Sequence, residues 1–206
     1  AVALLVFLPA LAIAQPKPGV NYSELNPVQP VEAAGKVEVM EFFWYGCIHC
    51  YNLEPAVEAW LKKLPADARF QRVPAVFNDR WARDAAIYYS FEALELVDKL
   101  HRPLFDAIHR DQLRTDNAEA LNQWLQKQGV DVKRFNEALK SFGVQSKVRR
   151  AAQLSVAYRI EGTPAMAVNG RYTVSTEQGK SHQEMLDTTG FLISLSRKDL
   201  KQPARK

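Results

Sequence analysis

The chain is poor in cysteine: Cys47 and Cys50 are the only two among its 206 residues. That excludes a small disulfide-stapled scaffold, and it excludes a zinc ribbon, which needs a second ligand pair at metal-binding spacing. His101, His109 and His182 are scattered along the chain and read as surface residues. A metal held by Cys47, His49 and Cys50 would have at most three ligands, and neighbouring positions rarely all point at one ion. No apolar run approaches the roughly 20 residues that a membrane-spanning helix requires. There is no basic stripe interleaved with aromatics: 27 Lys and Arg are mixed with 23 Asp and Glu, so the net charge of +4 does not indicate nucleic-acid binding. Internal repeats and low-complexity tracts are also lacking. The apolar share of 47% is ample for a packed core.

Residues 1–14 (AVALLVFLPALAIA) carry no charge and end in a small-x-small pattern before Gln15-Pro16. They read as the remnant of a cleaved secretory signal peptide, clipped at its start, with export to an oxidising compartment. Residues 15–34, rich in Pro and Asn, read as an extended N-terminal segment. Val37 to Phe43 is nearly continuous in apolar residues, as expected of a central strand buried on both faces. A helix follows Cys47 and stops by Leu64-Pro65, with Pro55 expected to bend it. Ala68 to Val73 is a second strand, with Pro74 near its end.

From Arg80 to Arg159 the pattern is helical. Trp81 to Leu96 forms one helix. Pro103 is expected to break the chain and restart it as a helix from Leu104 to Leu113. Asp116 and Glu119 resemble a capping box opening Ala118 to Gln128, closed by Gly129. Asp131 is expected to cap Val132 to Phe142, closed by Gly143, with Val144 to Arg159 beyond. Strand signals return at Ala165 to Val168. Asn169-Gly170 is a two-residue hairpin turn leading to Arg171–Val174. Ser181 to Leu195 reads as a terminal helix, and residues 201–206 as a tail. The order implies an α/β domain, residues 35–79 with 160–200, split by an inserted all-helical domain at 80–159.

The two cysteines sit where the first buried strand hands over to a helix. A bridge between them would close so short a loop that it adds little stability, which makes the pair a poor staple and a good redox couple. Cys47, near the helix N-terminus, gains from the dipole and the unpaired N–H groups as a thiolate and is the candidate nucleophile. Cys50 would be the resolving thiol. His49, between them, would further stabilise the thiolate as a donor or cation. Gly162-Thr163-Pro164 opens an apolar strand, and by itself is compatible with either a trans or a cis proline.

Glu41-Phe42-Phe43, Cys47-Ile48-His49-Cys50-Tyr51, Gly162-Thr163-Pro164-Ala165-Met166 and Val168-Asn169-Gly170-Arg171-Tyr172 together resemble the DsbA-type thiol:disulfide oxidoreductases of the bacterial periplasm. The resemblance runs from about Val20 to about Leu200. It implies a thioredoxin fold with a helical insertion and a cis Pro164 beside the disulfide. It implies that the Thr163 backbone pairs with substrate as an added strand, and that Glu41 is a buried acid relaying a proton to or from Cys50. Ile48 stands where proline is commonest, so the first helical turn is less preset than in those relatives. Trp44, Tyr45 and Ile48 are expected to surround the disulfide with apolar surface. The implied activity is donation of the Cys47–Cys50 disulfide to newly exported, unfolded proteins. No cofactor is expected. A membrane quinone-linked oxidant of the DsbB type would recharge the enzyme, which is expected to be a monomer. A reductase or isomerase, a holdase chaperone, and a metal carrier remain open alternatives.

Overall fold

The computed structural model describes residues 15–33 and 35–201, so the signal-peptide reading and most of the tail lie outside the described residues. One mixed five-stranded sheet organises the chain, in the order β1-β5-β4-β2-β3. Its strands are β1 (Ser23–Glu24), β2 (Val37–Phe43), β3 (Ala68–Pro74), β4 (Ala165–Val168) and β5 (Tyr172–Ser175). The central β2 pairs in parallel with β3 and antiparallel with β4. All seven residues of β2 are buried, as its unbroken apolar run implies.

Helix α1 (Ile48–Leu61) connects β2 to β3 and shares one face of the sheet with α8 (His182–Lys201). Alternation along β2 and β4 puts Val37, Val39, Met166 and Val168 on that face, against Leu53, Val57, Met185 and Leu192. Met40, Phe42, Ala165 and Ala167 point the other way, into the core shared with the helical block between β3 and β4. That block contains α2 (Asp79–Ala93), α3 (Val97–His109), α4 (Ala118–Lys127), α5 (Val132–Lys140) and α6 (Phe142–Ala157). A single turn, α7 (Thr176–Gly179), follows β5. The thioredoxin-like sheet with inserted helices therefore forms as the sequence implies.

Several boundaries differ from the periodicity, each for a local reason. Pro103 does not break the chain; it lies inside α3. The break falls at Glu95, whose φ of 58° stops α2, and the burial of Leu100, Leu104 and Phe105 outweighs the hydrogen bond that Pro103 forfeits. Asn117, not Asp116, caps α4, since Asp116 is drawn to Arg114. Helix α5 ends at Lys140 because Ser141 caps the next helix through the Val144 amide, which places Gly143 inside α6 instead of past a helix end. Strand β1 lies in the segment read as extended lead-in and adds to the sheet through β5.

The hairpin turn takes the form its dipeptide implies, with φ of 51° at Asn169 and 66° at Gly170. A Cβ on Gly170 would come within 2.0 Å of the Gln29 carbonyl oxygen. Gly170→Ala is expected to destabilise the fold by at least about 1 kcal/mol, the usual cost of a left-handed backbone for a residue with a side chain, with the clash added. Urea denaturation measures it; an unchanged midpoint would show that the turn relaxes away from residue 29.

Candidate functional site

Cys47 is the N-cap of α1. Its backbone is extended (φ −88°, ψ 113°), and its Sγ accepts a hydrogen bond from the Cys50 amide at 3.4 Å. Its own amide donates to the Trp44 carbonyl at 3.0 Å, closing the turn that joins β2 to the helix. A sulfur at this position takes the place of the oxygen that usually caps a helix, facing the N–H groups that favour negative charge. The Cys47 thiol is lowered from the ordinary 9.0 to about 5. A hydrogen bond from the Cys50 thiol contributes most; partial burial opposes it; the Thr163 side chain and the backbone N–H groups of Cys50 and His49 add to it. Cys50 is buried, and desolvation first, then its bond to Cys47, pushes its thiol well above the ordinary value. Three residues apart, the two thiols therefore differ sharply in acidity.

The Thr163–Pro164 peptide bond is cis. The Thr163 carbonyl lies 3.3 Å from Cys47 Sγ, where the protonated thiol donates to it. Beyond Thr163 a groove of about 820 Å³ runs past His49, Glu24, Ile160 and Gln178. Thr163, Pro164 and the cysteines thus come together.

Other expected site residues are placed differently. His49 is exposed, and its backbone N–H is among the groups that stabilise the Cys47 thiolate. Ile48 is 48% exposed beside Cys47. Trp44 is half-buried: it stacks on Trp81 at 4.3 Å, donates from Nε1 to Asp84 at 2.7 Å and lies under the Arg80 guanidinium. Gly46 leaves room for this indole, since a Cβ there would meet it at 2.3 Å. Tyr45 contributes no apolar surface to the site, contrary to expectation. It is wholly buried, because its hydroxyl finds a partner inside, His101 Nδ1 at 2.9 Å. The surface reading of the histidines fails likewise for His101, only 5% exposed, and for half-buried His109.

Glu41 is 1% exposed, within a cluster of charged groups spanning four elements. Arg72 of β3 pairs with Glu54 of α1 and, at 3.3 Å, with Glu41 of β2. His101 of α3 reaches Glu54 at 3.5 Å. Burial raises the Glu41 carboxyl, helped by the nearby Glu54 and opposed by Arg72. Glu54 is buried too, but His101 and Arg72 overcome desolvation and hold it below the ordinary range. Neither Glu41 oxygen has a hydrogen-bond partner among the described residues. Sequence reasoning found Glu41 and missed its three neighbours. Glu54 was within reach, four residues after Cys50 and hence on the same helix face. Arg72 meets Glu41 through the β2–β3 register, and His101 arrives from a distant helix, so neither left a local signal.

A family model for the DSBA-like thioredoxin domain matches residues 38–189. The thiol:disulfide interchange protein DsbA of Azotobacter vinelandii is 39% identical over 188 residues, 91% of this chain and 88% of that protein. The protein of the same name from Bordetella parapertussis is 42% identical over 179 residues, 86% of this chain and 85% of its own. The crystal structure of Pseudomonas aeruginosa DsbA superposes with a TM-score of 0.85 at 35% identity, covering 89% of this chain and 96% of the other.

The lowered Cys47 thiol gives a pH dependence. Its folded value lies below its unfolded one, so its contribution to the stability of the dithiol form is complete above about pH 9.0 and is lost as pH falls through about 5. Thiolate absorbance and the rate of iodoacetamide capture at Cys47 are expected to fall to half near pH 5, with Cys50 protected throughout. A midpoint near the ordinary thiol value would contradict this arrangement.

Proposed function

Since the chain belongs to the DsbA-like thioredoxin-domain family and is a protein thiol:disulfide oxidoreductase acting as a disulfide oxidase, we propose that it donates its Cys47–Cys50 disulfide to newly exported proteins in the periplasm of a Gram-negative bacterium. The observation that carries this reading is the division of the pair: an acidic, half-exposed Cys47 beside a buried, non-acidic Cys50. A thiolate stabilised in the dithiol form lowers the free energy of that form, which makes the disulfide a stronger oxidant. This favours oxidase over reductase.

In the proposed sequence a substrate thiolate attacks Cys47 Sγ. The Cys47–Cys50 bond breaks, its electron pair goes to Cys50, and Cys50 takes a proton, which Glu41 supplies or relays. The mixed disulfide at Cys47 is then attacked on the substrate's sulfur by the substrate's second thiolate. Cys47 leaves as a thiolate, a good leaving group because its thiol is acidic. The substrate has lost two electrons to the cysteine pair. The Thr163 backbone aligns the incoming chain as an added strand against the cis-Pro164 loop, and Ile48 and Trp44 supply apolar contact. His49 tunes Cys47 through its backbone N–H and, when charged, its ring. A membrane quinone-linked oxidant of the DsbB type restores the disulfide, and the protein works as a monomer. Residues 35–79 with 160–200 act as one discontinuous catalytic domain, with 80–159 set into it.

Equilibration in glutathione buffers, followed by Trp44 fluorescence, tests the direction of transfer. A potential well above the glutathione pool is expected; one near that of thioredoxin would make the protein a reductase. Cys47→Ser is expected to lose dithiol oxidation entirely, and Cys50→Ser to accumulate mixed disulfides at Cys47. Glu41→Gln is expected to slow exchange roughly 100-fold, the lower end of general acid–base assistance. Full exchange activity in Cys47→Ser would overturn the assignment.

A further inference from the structure

The turn that presents Cys47 is gripped from outside its own fold unit, at Trp44 by helix α2 and at Tyr45 by helix α3. Tyr45, two positions before Cys47, is held twice by helix α3. Its hydroxyl meets His101 Nδ1 at 2.9 Å, and its carbonyl oxygen meets His109 Nε2 at 2.8 Å. The two histidines lie about two turns apart on one helix. A carbonyl can only accept, so His109 carries its hydrogen on Nε2. His101 Nε2 faces the Glu54 carboxylate at 3.5 Å and so carries the hydrogen there, which leaves Nδ1 bare to accept the Tyr45 proton. Around His101 stand Glu54 of α1, Arg72 of β3 and the ring of Tyr88 of α2. His109 stacks on Tyr51 of α1 at 4.9 Å, and the Tyr51 hydroxyl donates to Asp106 of α3 at 2.7 Å.

We propose that His101 and His109 are positioning residues for disulfide exchange: by holding the side chain and the backbone of Tyr45, they keep the Trp44–Cys47 turn in the shape that makes Cys47 the cap of α1. The inference rests on Cys47 being the attacked and leaving sulfur, and it adds to that reading the source of its geometry. Three of the groups that favour the thiolate are backbone N–H or hydroxyl-bearing partners whose benefit depends on direction as well as distance. If residue 45 slackens, Sγ drifts off the line of the Cys50 and His49 amides, and the stabilisation falls although no charged group has been removed. Histidines of the inserted helices thereby tune a cysteine that they do not touch.

His101→Leu and His109→Leu are each expected to weaken the acidity of Cys47 at least tenfold, a rise of about one unit in its titration midpoint. The glutathione equilibrium moves by a similar factor toward a less oxidising couple. His109→Gln, which retains an N–H donor, is expected to restore most of the parental titration. Tyr45→Phe removes only the hydroxyl and is expected to match His101→Leu, with the double variant no worse than either. Thermal melts identify variants that fail to fold. Parental titration and potential in folded Tyr45→Phe and His109→Leu, or in Tyr45→Phe alone if His109→Leu does not fold, would overturn the proposal. Those outcomes are separate from Cys47→Ser, whose retained activity would instead overturn the assignment of Cys47 on which the clamp rests.

Discussion

A sulfur atom capping a helix is the interaction on which the rest of this molecule depends. Cys47 ends a turn and begins α1, and its Sγ takes the hydrogen bond that a serine or aspartate oxygen would normally take there. An uncharged thiol is a weak cap, whereas a thiolate is a good one, because it satisfies N–H groups that have no intrahelical partner and meets the positive end of the dipole. Helix formation and thiol ionisation therefore support one another. The sheet fixes where β2 ends, the Thr163 carbonyl lies against the same sulfur, and the burial of Cys50 leaves only one of the two thiols acidic.

Beneath this site the molecule tolerates an arrangement that costs stability. Glu41, Glu54, Arg72 and His101 are brought out of water together. Two carboxylates share one guanidinium, so they cannot both be fully compensated. The burden falls on Glu41, whose carboxyl is raised while that of Glu54 is lowered. An apolar residue at position 41 would pack in the same strand without that penalty. A buried carboxyl able to change its protonation state is what the proposed proton relay to Cys50 requires.

The helical block serves the site as more than a cover. Helix α2 supplies Asp84 and Trp81 to Trp44, and α3 supplies His101 and His109 to Tyr45. Two of the three residues before Cys47 are thus set by partners inserted between β3 and β4, and the third, Gly46, admits the Trp44 ring.

Much of this was legible in the chain itself. The seven-residue apolar run of β2, the Cys-x-x-Cys at its end, the Asn169-Gly170 turn and the capping Asp131 are local patterns, and local patterns report local backbone preference faithfully. Their order implied a divided α/β unit, and the motif set implied the family. What the sequence could not show was which distant groups meet. Glu41 faces Arg72 only because β2 and β3 pair in one particular register; Tyr45 is buried only because α3 brings it a partner; Pro103 is tolerated only because its helix packs. Pairwise electrostatics and burial depend on through-space distance, and residues 45, 54, 72 and 101 have no sequence relation that encodes theirs. The sequence determined the elements and placed the redox pair on them. The tertiary structure decided which distant groups meet Cys47, where the buried charges are compensated, and what holds the turn before it.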